Sequence, residues 1–166
     1  MSVDALEPFD IKVPPPGWAP RIARFDVENF GADAWSEYSW TEALAIPEHT
    51  YLTVSERAQP GESLGRLVAV GGVSGGPEAE LLTIAVGKNY RRRGIGAALL
   101  DLLLAIVDSN ADVCFLEVRI SDDGAQAMYC KAGFVPIGVR KRYYRDEDAL
   151  AMRRDKPGGP LDSTND

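Results

Sequence analysis

The residues of this chain with the clearest potential for chemistry are Arg91-Arg92-Arg93-Gly94-Ile95-Gly96, three arginines followed by two spaced glycines. They lie between the apolar run 81–86, typical of a strand, and a long run typical of a helix that begins at Gly94. The first N–H groups of a helix lack intrahelical partners, and glycines let a phosphate approach the backbone. The turn therefore predicts a binding site for a pyrophosphate.

Several cofactors carry a pyrophosphate, and two glycines at this spacing do not separate dinucleotides from coenzyme A. Glu117 favours a dinucleotide, because a carboxylate about 20 residues past the turn can bind a ribose. Leu99 opposes it, because a leucine in place of the third glycine of that motif would hold the helix away from the strand. Arg91 to Arg93 also oppose a dinucleotide, because a hydride-transfer enzyme needs no run of three arginines before this turn.

Two other interpretations of the turn carry less weight. A P-loop is excluded, because no Gly-Lys-Ser or Gly-Lys-Thr follows the glycines. A turn that only solubilises the start of a helix remains an alternative, although arginine there opposes the helix dipole unless an anion is bound.

The pattern of apolar residues and turn signals predicts alternating strands and helices along the chain. Strands are predicted at 9–13, 50–56, 67–73, 78–86, 113–120, 134–144 and 149–153, of which the second and third form an antiparallel pair. Helices are predicted at about 19–30, 40–46 and 94–110, with a fourth, capped by Ser121 or Asp122, that ends at Gly133. The third helix is apolar nearly all round, which indicates burial on more than one side.

Length and composition favour one compact domain. The chain has 166 residues, of which 45% are hydrophobic, enough for a single core. No apolar run approaches the roughly 20 residues that cross a bilayer, and the first residues are acidic where a secretory signal would be basic. We expect a cytoplasmic protein with one domain over residues 1–155 and a disordered tail over 156–166.

The cysteines, the histidine and the charge exclude several classes of function. Cys114 and Cys130 form neither a disulfide framework nor a metal-ligand pattern, and His49 as the one histidine excludes a zinc site or a Ser-His triad. The net charge of −7 lies entirely in residues 1–88, which carry 6 Lys and Arg against 13 Asp and Glu. Nucleic acid is therefore not expected as a direct ligand. The acidic half suits a basic partner or only a solvated surface.

The residues around the turn belong to a longer pattern. Arg91, Gly94 and Gly96 fit the signature Gln/Arg-x-x-Gly-x-Gly/Ala between a strand and a helix. Further matches are Leu116-Glu117-Val118-Arg119, Met128-Tyr129, Gly133-Phe134, Arg140-Lys141-Arg142-Tyr143-Tyr144, Asp148-Ala149 and Met152. Over about residues 78–154 the chain thus resembles the GCN5-related N-acetyltransferases (GNAT), and within them the RimI branch, which acetylates protein N-termini. The first half resembles the family more loosely, through Phe30 to Ser36.

This resemblance implies an α/β (α+β) fold whose central mixed, mostly antiparallel sheet splays between two parallel strands and is flanked by about four helices. It implies acetyl-CoA as cosubstrate and no metal. The implied cofactor-binding residues are Ile84, Ala85, Val86, Arg91, Arg92, Arg93, Gly94, Ile95, Gly96, Ala97 and Asp122. In this family the pantetheine arm enters the gap between the strands here assigned to 84–86 and 116–118, and a backbone N–H near Val86 polarises the thioester carbonyl. The family usually has an asparagine that contacts the cofactor where Asp122 stands.

Glu117 and Tyr129 match the catalytic positions of the family. Alternation along the strand puts Glu117 on the same side as Val113 and Phe115, where an unpaired charge would be costly. In RimI-like enzymes the matching glutamate is the general base; the alternative is a structural pairing of Glu117 with Arg119 or another arginine. Tyr129 can donate a proton to the leaving thiolate, whose thiol has a pKa of about 8.5, because a phenol with an ordinary pKa near 10 still holds its proton at neutral pH; simple packing is the alternative. An acetyl-enzyme on Cys130 is discounted, because no histidine can activate its thiol.

Substrate selection is expected from residues at two places in the sequence. The loop 32–38 supplies Trp35 and Tyr38, with core packing as the alternative for Trp35. Arg142, Tyr143 and Tyr144 come from a closing strand, where alternation lets only one of the two tyrosines face the site.

The residues and the resemblance together predict a protein N-terminal acetyltransferase that acts on an Ala- or Ser-type N-terminus, such as that of a small-subunit ribosomal protein. An α-amine is the easier acceptor, because its pKa of about 7.7–8.0 lies well below about 10.4 for lysine. The alternatives are an acetyltransferase for lysine or a small amine, a CoA-binding module without turnover and, more remotely, a dinucleotide enzyme. The expected partner is a protein or peptide N-terminus, without nucleic acid or membrane, and the chain is expected to be a monomer or weak homodimer.

Overall fold

The computed structural model describes residues 2–158, which form seven strands and four α-helices. The strands are β1 (Phe9–Lys12), β2 (His49–Glu56), β3 (Leu67–Ser74), β4 (Glu78–Val86), β5 (Val113–Arg119), β6 (Val135–Arg140) and β7 (Ala149–Asp155). The helices are α1 (Ala19–Phe30), α2 (Glu37–Leu44), α3 (Ile95–Asp108) and α4 (Asp123–Lys131), with short 3-10 helices at Ser2–Leu6, Pro16–Trp18, Gly31–Asp33 and Lys88–Tyr90.

The seven strands form one mixed sheet in the order β1-β2-β3-β4-β5-β7-β6. The β1–β2, β2–β3, β5–β7 and β6–β7 pairs are antiparallel. β4 and β5 run parallel, and their register joins Glu78–Glu80 with Val113–Phe115. The predicted mixed, mostly antiparallel sheet with a parallel pair and four flanking helices is confirmed.

The described chain divides into two compact units, and β4 and α3 each contribute to both. Unit 1 contains the chain up to Ser74 together with Leu82–Leu103, and unit 2 contains Gly75–Leu81 and the chain from Leu104 onward. The single domain predicted over residues 1–155 stays a prediction. Most of the predicted tail, 156–166, lies outside the described residues.

Helix α1 in unit 1 forms between a helix-starting proline and a helix-ending glycine. Pro20 occupies its first turn, and Gly31 follows Phe30 with a φ of 55°, a left-handed conformation that favours glycine. The apolar face of α1 packs in a core with side chains of α2, β2, β3 and β4. The buried members of this core are Ala19, Ile22, Ala23, Phe25, Trp40, Ala43, Tyr51, Leu67, Val70 and Ala85.

Helix α2 begins at Glu37, three residues before the predicted start, because Ser36 caps it. The Ser36 hydroxyl oxygen accepts a hydrogen bond from the Ser39 N–H at 3.0 Å. Tyr38 therefore lies in the first turn of a helix, which corrects the predicted loop 32–38.

Leu99 on α3 packs tightly against β3 within unit 1. A Cβ on Gly71 would lie 3.1 Å from Leu99 Cδ2 and 2.7 Å from Leu103 Cδ1. The close approach of helix and strand thus depends on a glycine in the strand. This close approach does not require a glycine in the helix, such as the dinucleotide motif would have at position 99.

Unit 2 contains β5 and β7, which pair along their whole length, and the outermost strand β6. All six residues of β6 are exposed, and its register with β7 shifts between Pro136 and Gly138. β6 ends at Arg140, so the predicted extension to Tyr144 is wrong. The reason is Arg142, whose φ of 51° is not compatible with a strand and whose N–H donates to Asp148 Oδ1 at 2.8 Å.

A buried arginine in unit 2 joins three elements. The Arg154 side chain is 9% exposed, and its Nη1 and Nη2 donate to the two oxygens of Asp108 at 2.8 and 3.0 Å. Its Nε donates to the Ala132 carbonyl at 2.9 Å. This bidentate pair ties β7 to the end of α3 and to the residue after α4.

Candidate functional site

The turn predicted at residues 91–96 lies between β4 and α3 in unit 1. Arg92 and Gly94 have φ values of 63° and 79°, so two left-handed residues lead the chain into the helix. Ala98 N–H donates to the Gly94 carbonyl at 3.0 Å, which places the N–H groups of residues 95–97 ahead of the helical ladder. Such N–H groups at the positive end of a helix can bind a phosphate.

Aromatic rings hold two of the three arginines of this turn. Arg91 Nε donates to the Val86 carbonyl at 3.2 Å, and its guanidinium lies 5.4 Å from the centre of the Phe30 ring. The Arg93 guanidinium lies 5.3 Å from the centre of the Tyr90 ring. Cation–π contacts restrict both side chains while leaving their charges near the helix start.

The predicted cofactor-binding segment of β4, residues 84–86, has buried Ala85 between two half-buried residues. Gly87, which follows it, donates its N–H to the Val68 carbonyl at 2.8 Å and so fixes the end of β4 on β3. Contact of this segment with a cofactor stays a prediction.

The half-buried face of β5 in unit 2 carries Glu117, as alternation predicts. Its side chain is 19% exposed, and Oε1 lies 3.4 Å from Nη1 of Arg140. The Arg140 side chain is 61% exposed and lies 5.8 Å from the centre of the Tyr143 ring. Glu117 is therefore a partly desolvated carboxylate whose cationic partner is exposed to solvent.

The loop between β6 and β7 contains Arg142, Tyr143 and Tyr144. The rings of Tyr143 and Tyr144 lie edge to face at 5.0 Å. Arg119 on β5 lies 4.3 Å from the Tyr144 ring centre and 2.8 Å from Asp146, so Arg119 is engaged by this loop and Glu117 pairs with a different arginine. Because the tyrosines are not in a strand, alternation does not decide which of them faces a substrate, which corrects that prediction.

Tyr129 lies on α4 and is buried in unit 2. Its ring packs edge to face on Phe134 at 5.9 Å. Burial raises the pKa of its phenol well above the ordinary value, and the charges of Asp122 and Tyr144 raise the pKa further. The hydroxyl therefore stays protonated around neutral pH and is a donor of hydrogen bonds.

Asp122, a predicted cofactor contact, is the N-cap of α4. Its Oδ1 accepts a hydrogen bond from the Ala125 N–H at 3.0 Å. An asparagine could cap the helix in the same way, so the exchange of Asn for Asp keeps the helix start. Its contact with a cofactor stays a prediction.

Trp35 and Tyr38 have different surroundings in unit 1. Tyr38 is exposed, and its hydroxyl donates to Glu42 Oε1 at 2.8 Å, whereas Trp35 is half-buried with its ring 4.8 Å from that of Trp40. Asp26, which no motif in the sequence marks, accepts hydrogen bonds from the Trp35 N–H at 2.8 Å and from Trp40 Nε1 at 3.1 Å. Burial raises the pKa of Asp26. The sequence signal that could have identified Asp26 is an aspartate among the apolar residues on the buried face of α1.

The two cysteines should differ sharply in reactivity. Cys114 is buried, which raises the pKa of its thiol to about 11, and Cys130 is exposed. Because the thiolate is the reactive form, we expect DTNB at about pH 8 to label Cys130 rapidly and Cys114 only after unfolding. Absorbance should report about one thiol per folded chain and about two in denaturant, and Cys130→Ser should remove the fast one. Rapid labelling of both thiols in the folded chain would contradict the burial of Cys114.

Within residues 2–158, no group of three or more His, Cys, Asp or Glu side chains could hold a metal ion. In the same part of the chain, each helix is too short or too polar to cross a membrane.

The chain is similar to known proteins in sequence and in structure. A model of the acetyltransferase (GNAT) family matches residues 19–134. The chain is 38% identical over 145 residues to N-alpha-acetyltransferase RimI of Mycobacterium tuberculosis (strain ATCC 25618 / H37Rv), a match that covers 82% of this chain and 86% of that protein. It is 39% identical over 80 residues to the ribosomal protein bS18-alanine N-acetyltransferase of Escherichia coli (strain K12), covering 45% of this chain and 54% of that enzyme.

A solved structure shows the same architecture. The crystal structure of the ribosomal-protein-S18-alanine N-acetyltransferase from Escherichia coli is similar to this chain with a TM-score of 0.77 and 26% sequence identity. The similarity covers 91% of this chain and 96% of that chain.

Proposed function

Because the chain belongs to the acetyltransferase (GNAT) family, we propose that it transfers the acetyl group of acetyl-CoA directly to the α-amine of a protein N-terminus. The observation that carries the proposal is the half-buried carboxylate of Glu117, which has an exposed cation as its partner. The names of the relatives at 38% and 39% identity support an α-amine as the acceptor.

The turn before α3 fits the pyrophosphate of acetyl-CoA. The N–H groups of residues 95–97 supply donors, and Arg91 and Arg93 supply positive charge that is already oriented by aromatic rings. We assign the amides of the extended arm to the backbone of residues 84–86. When bound, acetyl-CoA supplies the acyl group as an activated thioester.

Glu117 acts as the general base, through a water molecule. An acceptor must lose a proton before it attacks, and the α-amine pKa of about 7.7–8.0 makes that loss easy near neutral pH, even for a weak base. The contact with Arg140 orients the carboxylate of Glu117. Because the Arg140 side chain is 61% exposed, water can reach the carboxylate beside Arg140. The incoming ammonium group carries the same sign of charge as Arg140 and is likewise attracted toward the carboxylate, with the water molecule between them.

Tyr129 acts as the general acid that protonates the departing CoA thiolate. Its substitution by phenylalanine tests this role. Phenylalanine keeps the packing on Phe134 and removes only the hydroxyl. A hydrogen bond to a charged group contributes about 1.5–3 kcal/mol, so we expect kcat to fall about tenfold or more with little change in KM. Steady-state kinetics with a peptide acceptor measure this.

Tyr51→Phe is the matched control for that variant. It also removes a buried hydroxyl, one that lies 3.0 Å from His49 Nδ1 in unit 1, and it should leave kcat unchanged. An undiminished kcat in Tyr129→Phe would remove the assigned role.

We assign recognition of the acceptor to Trp35, Tyr38, Arg142, Tyr143 and Tyr144. Tyr38 in unit 1 and Tyr143 in unit 2 are both exposed, and each ring offers an aromatic surface on which the first residues of a peptide with a small Ala- or Ser-type N-terminus can pack. The N-terminus of a small-subunit ribosomal protein is the proposed natural acceptor, because the names of the E. coli relatives specify such a protein.

A peptide pair tests the proposal. One peptide begins with alanine and contains an internal lysine, and the second has the same sequence with its α-amine blocked. Mass spectrometry after incubation with acetyl-CoA should find acetyl on the α-amine of the first peptide and none on the second. Acetyl groups only on ε-amines would favour a lysine or small-amine acceptor. Tight binding of acetyl-CoA with no acceptor modified would indicate a binding module without turnover.

A further inference from the structure

A cavity of about 850 Å³ lies within unit 1, between α1, the segment that leads into β3 and the segment that follows β4. Charged side chains form much of its wall. They are Arg21, Arg24, Glu28, Glu62, Arg66 and Lys88. Residues 91–97, assigned above to the pyrophosphate, are not part of its lining.

Most of the basic residues of an otherwise acidic region line this cavity. Residues 1–88 carry 6 Lys and Arg against 13 Asp and Glu. Four of those 6 basic residues line the cavity, and only Lys12 and Arg57 lie outside it. Cations gathered in a concave surface focus an attractive field on small anions.

Within residues 2–158, none of the four basic residues forms an ion pair with a carboxylate. Arg21 donates to the carbonyl oxygens of Leu64 and Gly65 at 3.4 and 2.6 Å. Arg66 acts to lower the pKa of the Tyr90 phenol, whose hydroxyl donates to Glu56 Oε1, so the Arg66 charge lies near that hydroxyl. The acceptors of Arg21 are neutral carbonyl groups, so they do not cancel its charge. Arg24 and Lys88 are exposed, with their charged groups available.

The wall that carries these charges is held in place. A Cβ on Gly65 would lie 1.8 Å from the Glu56 carbonyl oxygen, so only glycine permits the close crossing that fixes the acceptors of Arg21. Asn29 accepts from the Lys88 N–H and donates to the Phe25 carbonyl, both at 2.8 Å. The backbone around the cations is therefore fixed before a ligand binds, which lowers the entropy cost of binding.

We propose that this cavity binds a small organic anion that carries at least two carboxylate or phosphate groups. Arg24 and Lys88 contact the anionic groups directly, and Arg21 and Arg66 add to the attraction. An ion with one charged group could pair with one of these separate cations only, so the site favours multivalent ligands. Glu28 and Glu62 repel an anion from their part of the wall and thereby restrict it to the basic part.

Calorimetric titration of the full chain, saturated with CoA, tests the site with two probes at constant ionic strength: citrate and inorganic triphosphate. Saturating CoA removes binding of either probe to the turn before α3. We expect saturable binding of at least one probe with a Kd of about 1 mM or tighter, and the stronger probe identifies carboxylate or phosphate as the preferred group. The double variant Arg24→Ser/Lys88→Ser should bind at least about tenfold more weakly.

The matched control is Lys12→Ser/Arg57→Ser, which removes the same charge from the two basic residues outside the cavity and should bind like the parent chain. The single variant Lys88→Gln repeats the comparison with a smaller change to the surface, and unfolding temperatures without anion verify that each variant is folded. Absence of saturable binding of both probes would overturn the proposal. Equal weakening by the two double variants would overturn it as well, because it would show a general charge effect.

Discussion

We expect the Glu117→Gln variant to acetylate an Ala-starting peptide with a kcat/KM about 10³-fold below that of the parent chain. Glutamine has the same shape and can still accept a hydrogen bond from Arg140, but its amide does not take a proton from the acceptor. The deficit should shrink above about pH 8, because an α-amine with a pKa of about 7.7–8.0 then loses its proton to solvent. Release of free CoA, followed over a range of pH, measures both effects.

Glu78→Gln is the control for this prediction. It makes the same chemical change at an exposed residue of β4, also in unit 2, and should leave the rate unchanged. If Glu117→Gln were as active as the parent chain at neutral pH, Glu117 would be a structural partner of Arg140 only. If its deficit did not change with pH, the residue would act on something other than the acceptor proton.

Substitution of Asp108 by alanine should lower the free energy of unfolding by about 3 kcal/mol. The Arg154 side chain is 9% exposed and would lose both hydrogen bonds to the carboxylate, leaving a buried charge with the Ala132 carbonyl as its remaining acceptor. Urea unfolding, followed by circular dichroism, gives the difference between variant and parent chain. Adding Arg154→Met to Asp108→Ala should recover part of the loss, because it removes the uncompensated charge.

The neighbouring ion pair between Arg153 and Asp155 provides a matched control. Its side chains are 44% and 58% exposed, so Asp155→Ala should change the free energy of unfolding by less than about 1 kcal/mol. Equal losses from Asp108→Ala and Asp155→Ala would show that burial of Arg154 does not determine the effect.

Local sequence signals predicted the elements that carry the glycine-rich turn. The bounds of α1 were right, because Pro20 and Gly31 mark its ends, and β4 was right because an apolar run meets a turn at Gly87. The start of α2 was missed since Ser36, a capping residue, was assigned to the loop. The end of β6 was missed because aromatic residues favour strands in general, while the left-handed backbone of Arg142 depends on its contact with Asp148.

The candidate site could be predicted in part for a similar reason. Alternation along β5 placed Glu117 on the half-buried face, but periodicity does not identify its partner, because Arg140 reaches it through the pairing of β5 and β6 with β7. The burial of Arg154 against Asp108 likewise depends on contacts between residues far apart in the chain. Family resemblance supplied the roles of Glu117 and Tyr129, and those roles stay predictions until the variants are measured.

The form of β6 has a consequence for self-association of the folded chain. Its side chains Val135, Ile137 and Val139 are exposed, a composition that in a regular outer strand would recruit further strands and seed fibres. Pro136 lacks an N–H, and the register of β6 with β7 shifts beside it, so the backbone of this outer strand is irregular. An irregular strand that contains proline is a poor template for further strands, which offsets the apolar character of these exposed side chains.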